Sequence, residues 1–170
     1  MPFRPVNLAT PVVTPAASPG SKLAPGALFL QSMPGRVESW PSFLDEARAQ
    51  RLNVVVCLNP LEEVATLSPS YHKAIAEGRL PFRWQHLPMR DFGLGADPAA
   101  FRLGVEQVAN SLVLGQHVML HCAAGIGRTG TVAACVLKHL GLPSALALAR
   151  VREAGSNPQS AVQFGWIDQF

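Results

Sequence analysis

The chain has 170 residues, 48 % apolar and only 15 % charged, which suits one domain with a real core and excludes a disordered polymer. A net charge of +3, with no basic run and no zinc-finger spacing, excludes a nucleic-acid binder. Three cysteines, Cys57, Cys122 and Cys135, are an odd number without metal-ligand spacing, which excludes a closed disulfide framework and points to a reducing, cytoplasmic setting.

Six prolines fall in the first 25 residues, so 1–25 reads as an irregular arm, neither signal peptide nor membrane anchor. Residues 26–170 read as a single domain. Leu28-Phe29-Leu30 is a short strand closed by Pro34-Gly35. The pattern predicts a helix over 43–50, capped by Ser42, with Asp45 and Glu46 in its first turn. Residues 54–58 are continuously apolar, as in a strand buried on both faces, and Asn59-Pro60 closes it. A helical hairpin follows, its second helix running from Pro69 to Glu77. Residues 82–87 alternate like a strand. The stretch from Pro88 to Asp97 is a Gly-containing loop. Asp97 caps a helix that starts at Pro98 and runs to about Leu114. His117 to His121 is another buried strand. Helices are expected over 128–140, 144–153 and 159–170. The alternation predicts a three-layer α/β fold, a small, mostly parallel central sheet flanked by helices, with 54–58 and 117–121 as core strands.

One segment outweighs the rest: His121-Cys122-Ala123-Ala124-Gly125-Ile126-Gly127-Arg128-Thr129-Gly130. It joins a buried strand to a helix through small residues and glycines. Such a turn can aim successive N–H groups from Ala123, Ala124, Gly125, Ile126 and Gly127 into one anion nest, with the helix N-terminus behind it. The donors that bind phosphate also stabilise a thiolate, and a thiolate facing phosphorus forms a phosphocysteine. Arg128 supplies a planar fork for two equatorial oxygens. Thr129 can donate to the sulfur. His121 is expected to face away and hold the loop's shape. A leaving alkoxide or phenoxide needs a proton from a loop above the site. Asp91 is the favoured acid, because Asp97 is occupied as a cap. Gln163, or alternatively Gln159, would orient the hydrolytic water. The chemistry calls for no metal and no cofactor.

The segment 121–130 resembles the signature loop of the cysteine-dependent protein tyrosine phosphatase superfamily: His, Cys, five variable residues, Arg, then Ser or Thr. The resemblance runs from about residue 26 to the C-terminus. Met89-Arg90-Asp91-Phe92-Gly93 resembles that family's general-acid loop, which adds to the case for Asp91. The resemblance implies metal-free hydrolysis of phosphate monoesters through a thiophosphate intermediate, by a catalytic domain over 26–170. The short chain is similar to the compact dual-specificity branch, and the Ala-, Leu- and Arg-rich composition suggests a bacterial member. The implied substrate is a phosphorylated protein or peptide, on tyrosine first, with serine and threonine as extensions. Ala124 and Gly127 are not Lys, unlike the loops of phosphoinositide-directed relatives. A phosphoinositide or a small phosphorylated metabolite is therefore the alternative substrate, and a catalytically silent phosphate-binding module the remote one. Some relatives protect the nucleophile by a reversible disulfide, which would make Cys57 the redox partner of Cys122. Nucleic acid and stable membrane association are not expected as partners.

Overall fold

The computed structural model describes residues 2–10, 23–91 and 97–170. Five strands and seven helices occur among them: β1 (Arg4–Pro5), β2 (Ala27–Ser32), α1 (Trp40–Ala49), β3 (Val54–Cys57), α2 (Leu61–Leu67), α3 (Pro69–Ala76), β4 (Arg83–His86), α4 (Pro98–Val113), β5 (His117–Cys122), α5 (Gly127–His139), α6 (Ser144–Glu153) and α7 (Ala161–Gln169). The sheet order is β1-β2-β5-β3-β4. The pairs β2–β5, β5–β3 and β3–β4 are parallel, and β1 adds antiparallel to β2. This is the expected three-layer α/β architecture, with β5 and β3 central.

Burial on both faces explains the continuous apolar runs. Val54, Val56, Val118, Leu120 and Cys122 pack with residues of α4, α5, α6 and α7. Val55 and Met119 pack with Phe43 and Ala47 of α1, and Cys57 packs with Val64 of α2 and Tyr71 of α3. Side chains alternate across a strand, so Cys122 and Cys57 belong to opposite layers.

Three local expectations change. Helix α1 begins at Trp40, not at 43, and its N-cap is Ser39, whose hydroxyl accepts from the Ser42 amide at 3.2 Å. Pro41 is compatible with the first turn because that turn has no intrahelical N–H acceptor to lose. Asp45 and Glu46 therefore lie beyond the first turn. The strand expected at 28–30 is also longer, β2 having six residues instead of three. Part of the proline-rich arm is regular: Arg4 pairs with Leu30 and Pro5 with Phe29. An edge strand tolerates Pro because one side needs no ladder donor. Phe3 seats this strand, its ring tilted against Phe29 and Phe43 with centroids 5.7 and 5.6 Å away. Among the described residues no helix is long and apolar enough to cross a membrane.

Candidate active site

Strand β5 ends at Cys122 and α5 begins at Gly127, so the glycine-containing segment is the turn between them. The carbonyls of that turn are held from outside. The Ala123 oxygen accepts from the Arg36 guanidinium at 2.7 Å and the Met33 amide at 3.3 Å. The Gly125 oxygen accepts from Arg4 and from the Ser156 hydroxyl, each at 2.6 Å. The Ile126 oxygen accepts from the amides of Gly130 at 2.8 Å and Asn157 at 3.3 Å. Within a planar trans peptide the N–H points opposite to the C=O. The N–H groups of Ala124, Ile126 and Gly127 therefore point away from these tethers. Gly125 makes the turn possible, with φ +71° and the main chain of Gln31 against its α-carbon.

Cys122 stands at the floor of this nest, 3 % exposed. A cavity of about 230 Å³ opens above it, lined by Asp91, Cys122, Ala123, Ala124, Gly127, Arg128 and Gln159. Among the described residues no side chain caps the N-terminus of α5, which leaves its first amides and the positive end of its dipole to an anion. Among the described residues three larger clefts, two of about 350 and 360 Å³ between β4 and α4 and one of about 250 Å³ beside α3, contain no cysteine.

Arg128 reaches the nest from the first turn of α5 and is 2 % exposed. Its Nη1 and Nη2 each donate to a Glu63 oxygen at 2.8 Å, and Nη1 also donates to the Met89 carbonyl at 3.3 Å. Asp91 Oδ1 lies 3.6 Å from Nη2. The remaining donor, Nε, is buried with no hydrogen-bond partner among the described residues. Burial alone would lower the Arg128 pKa, but the bond to Glu63, with Cys122 and Asp91 nearby, outweighs it and raises the value. The same bond holds the Glu63 carboxyl below its ordinary range. Sequence reasoning missed Glu63. An acid in the first turn of a short helix is ordinarily a dipole complement, so no local signal set it apart.

His121 points into the other layer. Trp84 Nε1 donates to the Tyr71 hydroxyl at 2.8 Å, and that hydroxyl lies 3.0 Å from His121 Nε2. Indole nitrogen can only donate, which leaves the Tyr71 hydroxyl its own proton to give, and a neutral imidazole with Nε2 as acceptor fits this hydrogen-bond chain. Burial pushes the imidazole pKa down to about 3, opposed by the adjoining Cys122 backbone. Burial also pushes the Cys57 and Cys135 thiols up to about 12. All three cysteines are free; Cys57 donates to the Asn59 carbonyl at 3.6 Å.

Asp91 lines the cavity with 65 % of its side chain exposed. The rest of the expected acid loop, 92–96, lies outside the described residues. Asp97 is the N-cap of α4, accepting from the Ala99 amide at 2.8 Å. Thr129 is wholly buried and its hydroxyl has no partner among the described residues. Ser32, a second buried hydroxyl in that condition, stands opposite Cys122 in the β2–β5 register. Of the two glutamines, Gln159 lines the cavity and Gln163 does not. Gln163 is fully buried, and its side-chain oxygen accepts from the Gln159 amide at 2.7 Å.

A family described as "Polymorphic toxin system, DSP-PTPase phosphatase" matches residues 33–141, which include Asp91, Cys122, the whole nest and Arg128. The chain belongs to that family. It is thus a member of the cysteine-dependent phosphatases. No curated protein matches it. The DSP-PTPase fold recurs in solved structures. Kinase associated phosphatase, with its catalytic-site cysteine changed to serine, is 18 % identical, covers 100 % of this chain and 94 % of its own, and superposes with a TM-score of 0.76. Tk-PTP in its active form is 24 % identical over 84 % of this chain and 89 % of its own, with a TM-score of 0.66. The human tyrosine phosphatase-like serine/threonine/tyrosine-interacting protein is 22 % identical over 87 % and 92 %, with a TM-score of 0.67.

Proposed function

We propose that this protein hydrolyses phosphate monoesters on protein tyrosine, and secondarily on serine and threonine, through a phosphocysteine at Cys122. The Cys122 sulfur attacks phosphorus and the ester P–O bond breaks. Asp91 gives its proton to the departing oxygen. Water then attacks phosphorus, the P–S bond breaks, and Asp91 takes the water's proton as inorganic phosphate forms. Inward amides and Arg128 carry the equatorial oxygens of both transition states. Thr129 donates to the sulfur as it leaves.

The observation that carries this reading is the outward tethering of the 123, 125 and 126 carbonyls around a cysteine, beside a buried guanidinium with Nε unpartnered. Each feature would be costly in a site that bound nothing. Gln159 replaces Gln163 as the group that orients water, because it faces the cavity. Gln163 holds Gln159. The matched family's description points to deployment in a polymorphic toxin system. The expected Cys57–Cys122 disulfide would form under mild oxidation only by the two thiols turning toward each other from opposite layers at the ends of β3 and β5. Peroxide treatment and peptide mapping would find the linked peptides, and only sulfenic or higher oxides at Cys122 would remove that step.

The test of the main reading is Cys122→Ser. It is expected to abolish turnover of an aryl phosphate while leaving phosphate-ester binding measurable. Turnover near wild type would refute the mechanism. Chelators are expected to change nothing. Phosphotyrosine peptides, phosphoserine peptides and phosphoinositides compared in one assay rank the substrate classes.

A further inference from the structure

We propose that Arg4, on the N-terminal arm, is a positioning residue that holds the phosphate nest in its binding shape. The inference rests on the reading of that nest as the phosphate site. The Arg4 guanidinium bonds three carbonyls from three parts of the chain. Nη2 donates to Gly125 at 2.6 Å, Nη1 to Gly155 at 2.5 Å and Nε to Leu30 at 3.2 Å. Gly125 lies in the turn that follows β5, Leu30 on the neighbouring strand β2, and Gly155 just beyond α6. One side chain thus clamps the nest to both neighbours.

The geometry is built for an arginine. Strand β1 fixes the Arg4 backbone against Leu30, and Phe3 is buried between Phe29 and Phe43. Gly155, with φ +77°, leaves the space that Arg4 Nη1 fills, since a Cβ there would come within 2.8 Å of it. No ion pair to a carboxylate balances Arg4 among the described residues. Burial lowers its pKa and Cys122 opposes that shift. A half-desolvated cation that lacks an acid partner is costly as a mere anchor. Beside a bound phosphate its charge adds to anion affinity. It also polarises the 125–126 peptide, so the inward Ile126 N–H becomes a stronger donor.

The claim is tested on the full-length chain with inorganic phosphate as probe. Arg4→Met is expected to weaken phosphate binding by calorimetry about 10-fold and to lower kcat for an aryl phosphate by a similar factor, the loss of one charged hydrogen bond. Arg4→Lys is expected to recover only part, because an ammonium cannot span three carbonyls. Gly155→Ala, which crowds the guanidinium from outside, is expected to fall between them. A folded Arg4→Met variant with wild-type phosphate affinity and kcat would reduce Arg4 to a fastener of the arm and overturn the proposal. If Arg4→Met does not fold, wild-type phosphate affinity in Gly155→Ala overturns it instead. Wild-type protein that binds no phosphate overturns it too. Turnover that survives Cys122→Ser would defeat the catalytic reading and leave the phosphate comparison standing.

Discussion

Gly125 shows how tightly the nest is drawn. A Cβ there would stand 2.4 Å from the Gln31 carbonyl carbon and oxygen and 2.6 Å from the Ser32 amide nitrogen. The clash is with main chain on β2, which is hydrogen-bonded to β5 and cannot swing aside. Gly125→Ala also meets a φ of +71° that alanine adopts at a cost of about 1 kcal/mol or more. It is expected to lower the unfolding midpoint and to reduce kcat more than 100-fold, read from denaturation and steady-state kinetics. Glu63 offers a subtler case. Glu63→Gln keeps the size of the side chain but removes the charge and one of the two acceptors that fix the Arg128 fork. The guanidinium then has a choice of poses, and misplacement on the scale of 1 Å costs about 100-fold. A fall in kcat of about 10- to 100-fold with a smaller change in KM is the expected split. Equal loss of kcat in Glu63→Gln and Arg128→Ala would mean that Glu63 acts on substrate directly.

At the scale of elements, the site is a consequence of parallel strands. β2, β5, β3 and β4 all run the same way, so their C-terminal ends open on one rim, where ligands of open α/β sheets bind. The segment after β2 brings Met33 and Arg36, the one after β3 brings Glu63, the one after β4 brings Met89 and Asp91, and the one after β5 is the nest itself. The turn into α7 adds Gln159. The two glutamines there are separable by kinetics. Gln159→Ala is expected to slow hydrolysis of the phosphocysteine and so raise the burst of aryl leaving group relative to the steady rate. Gln163→Ala is expected to lower thermal stability and to show the same kinetic change only weakly. A larger kinetic defect at Gln163 would reverse the assignment. The nest and Arg128 were legible in the sequence because they are contiguous, and Asp91 because its loop follows a strand and Asp97 was already occupied. Glu63 lies 65 residues from Arg128 and Arg4 lies 121 residues from Gly125. Only the strand order makes them neighbours, and apolar periodicity carries no information about strand order.

For the molecule as a whole, the layer behind the nest sets its response to acid. His121 is buried neutral with a pKa of about 3, against 6.5 when free. Between those values the unfolded chain takes a proton that the folded chain refuses. Stability is therefore complete above about pH 6.5 and falls as pH drops toward 3, at up to about 1.4 kcal/mol per pH unit from this group. Glu63 acts with the same sign lower down, since its folded pKa is held below the ordinary 4.5 by Arg128. Its contribution is present above 4.5 and is lost as pH falls through the lowered value. The His121 contribution would vanish if the Tyr71–His121 contact were solvated, because water would stabilise the imidazolium charge, whereas that of Glu63 rests on Arg128. His121→Asn preserves a donor of similar reach but cannot titrate. Its stability at pH 7 is expected to be lower than wild type, while its urea midpoint is expected to change much less between pH 6.5 and pH 4.5. Parallel acid slopes in the two proteins would place the acid sensitivity outside the Trp84–Tyr71–His121 chain. A flattened slope would tie the integrity of the loop that begins at Cys122 to one proton withheld from the far side of the sheet.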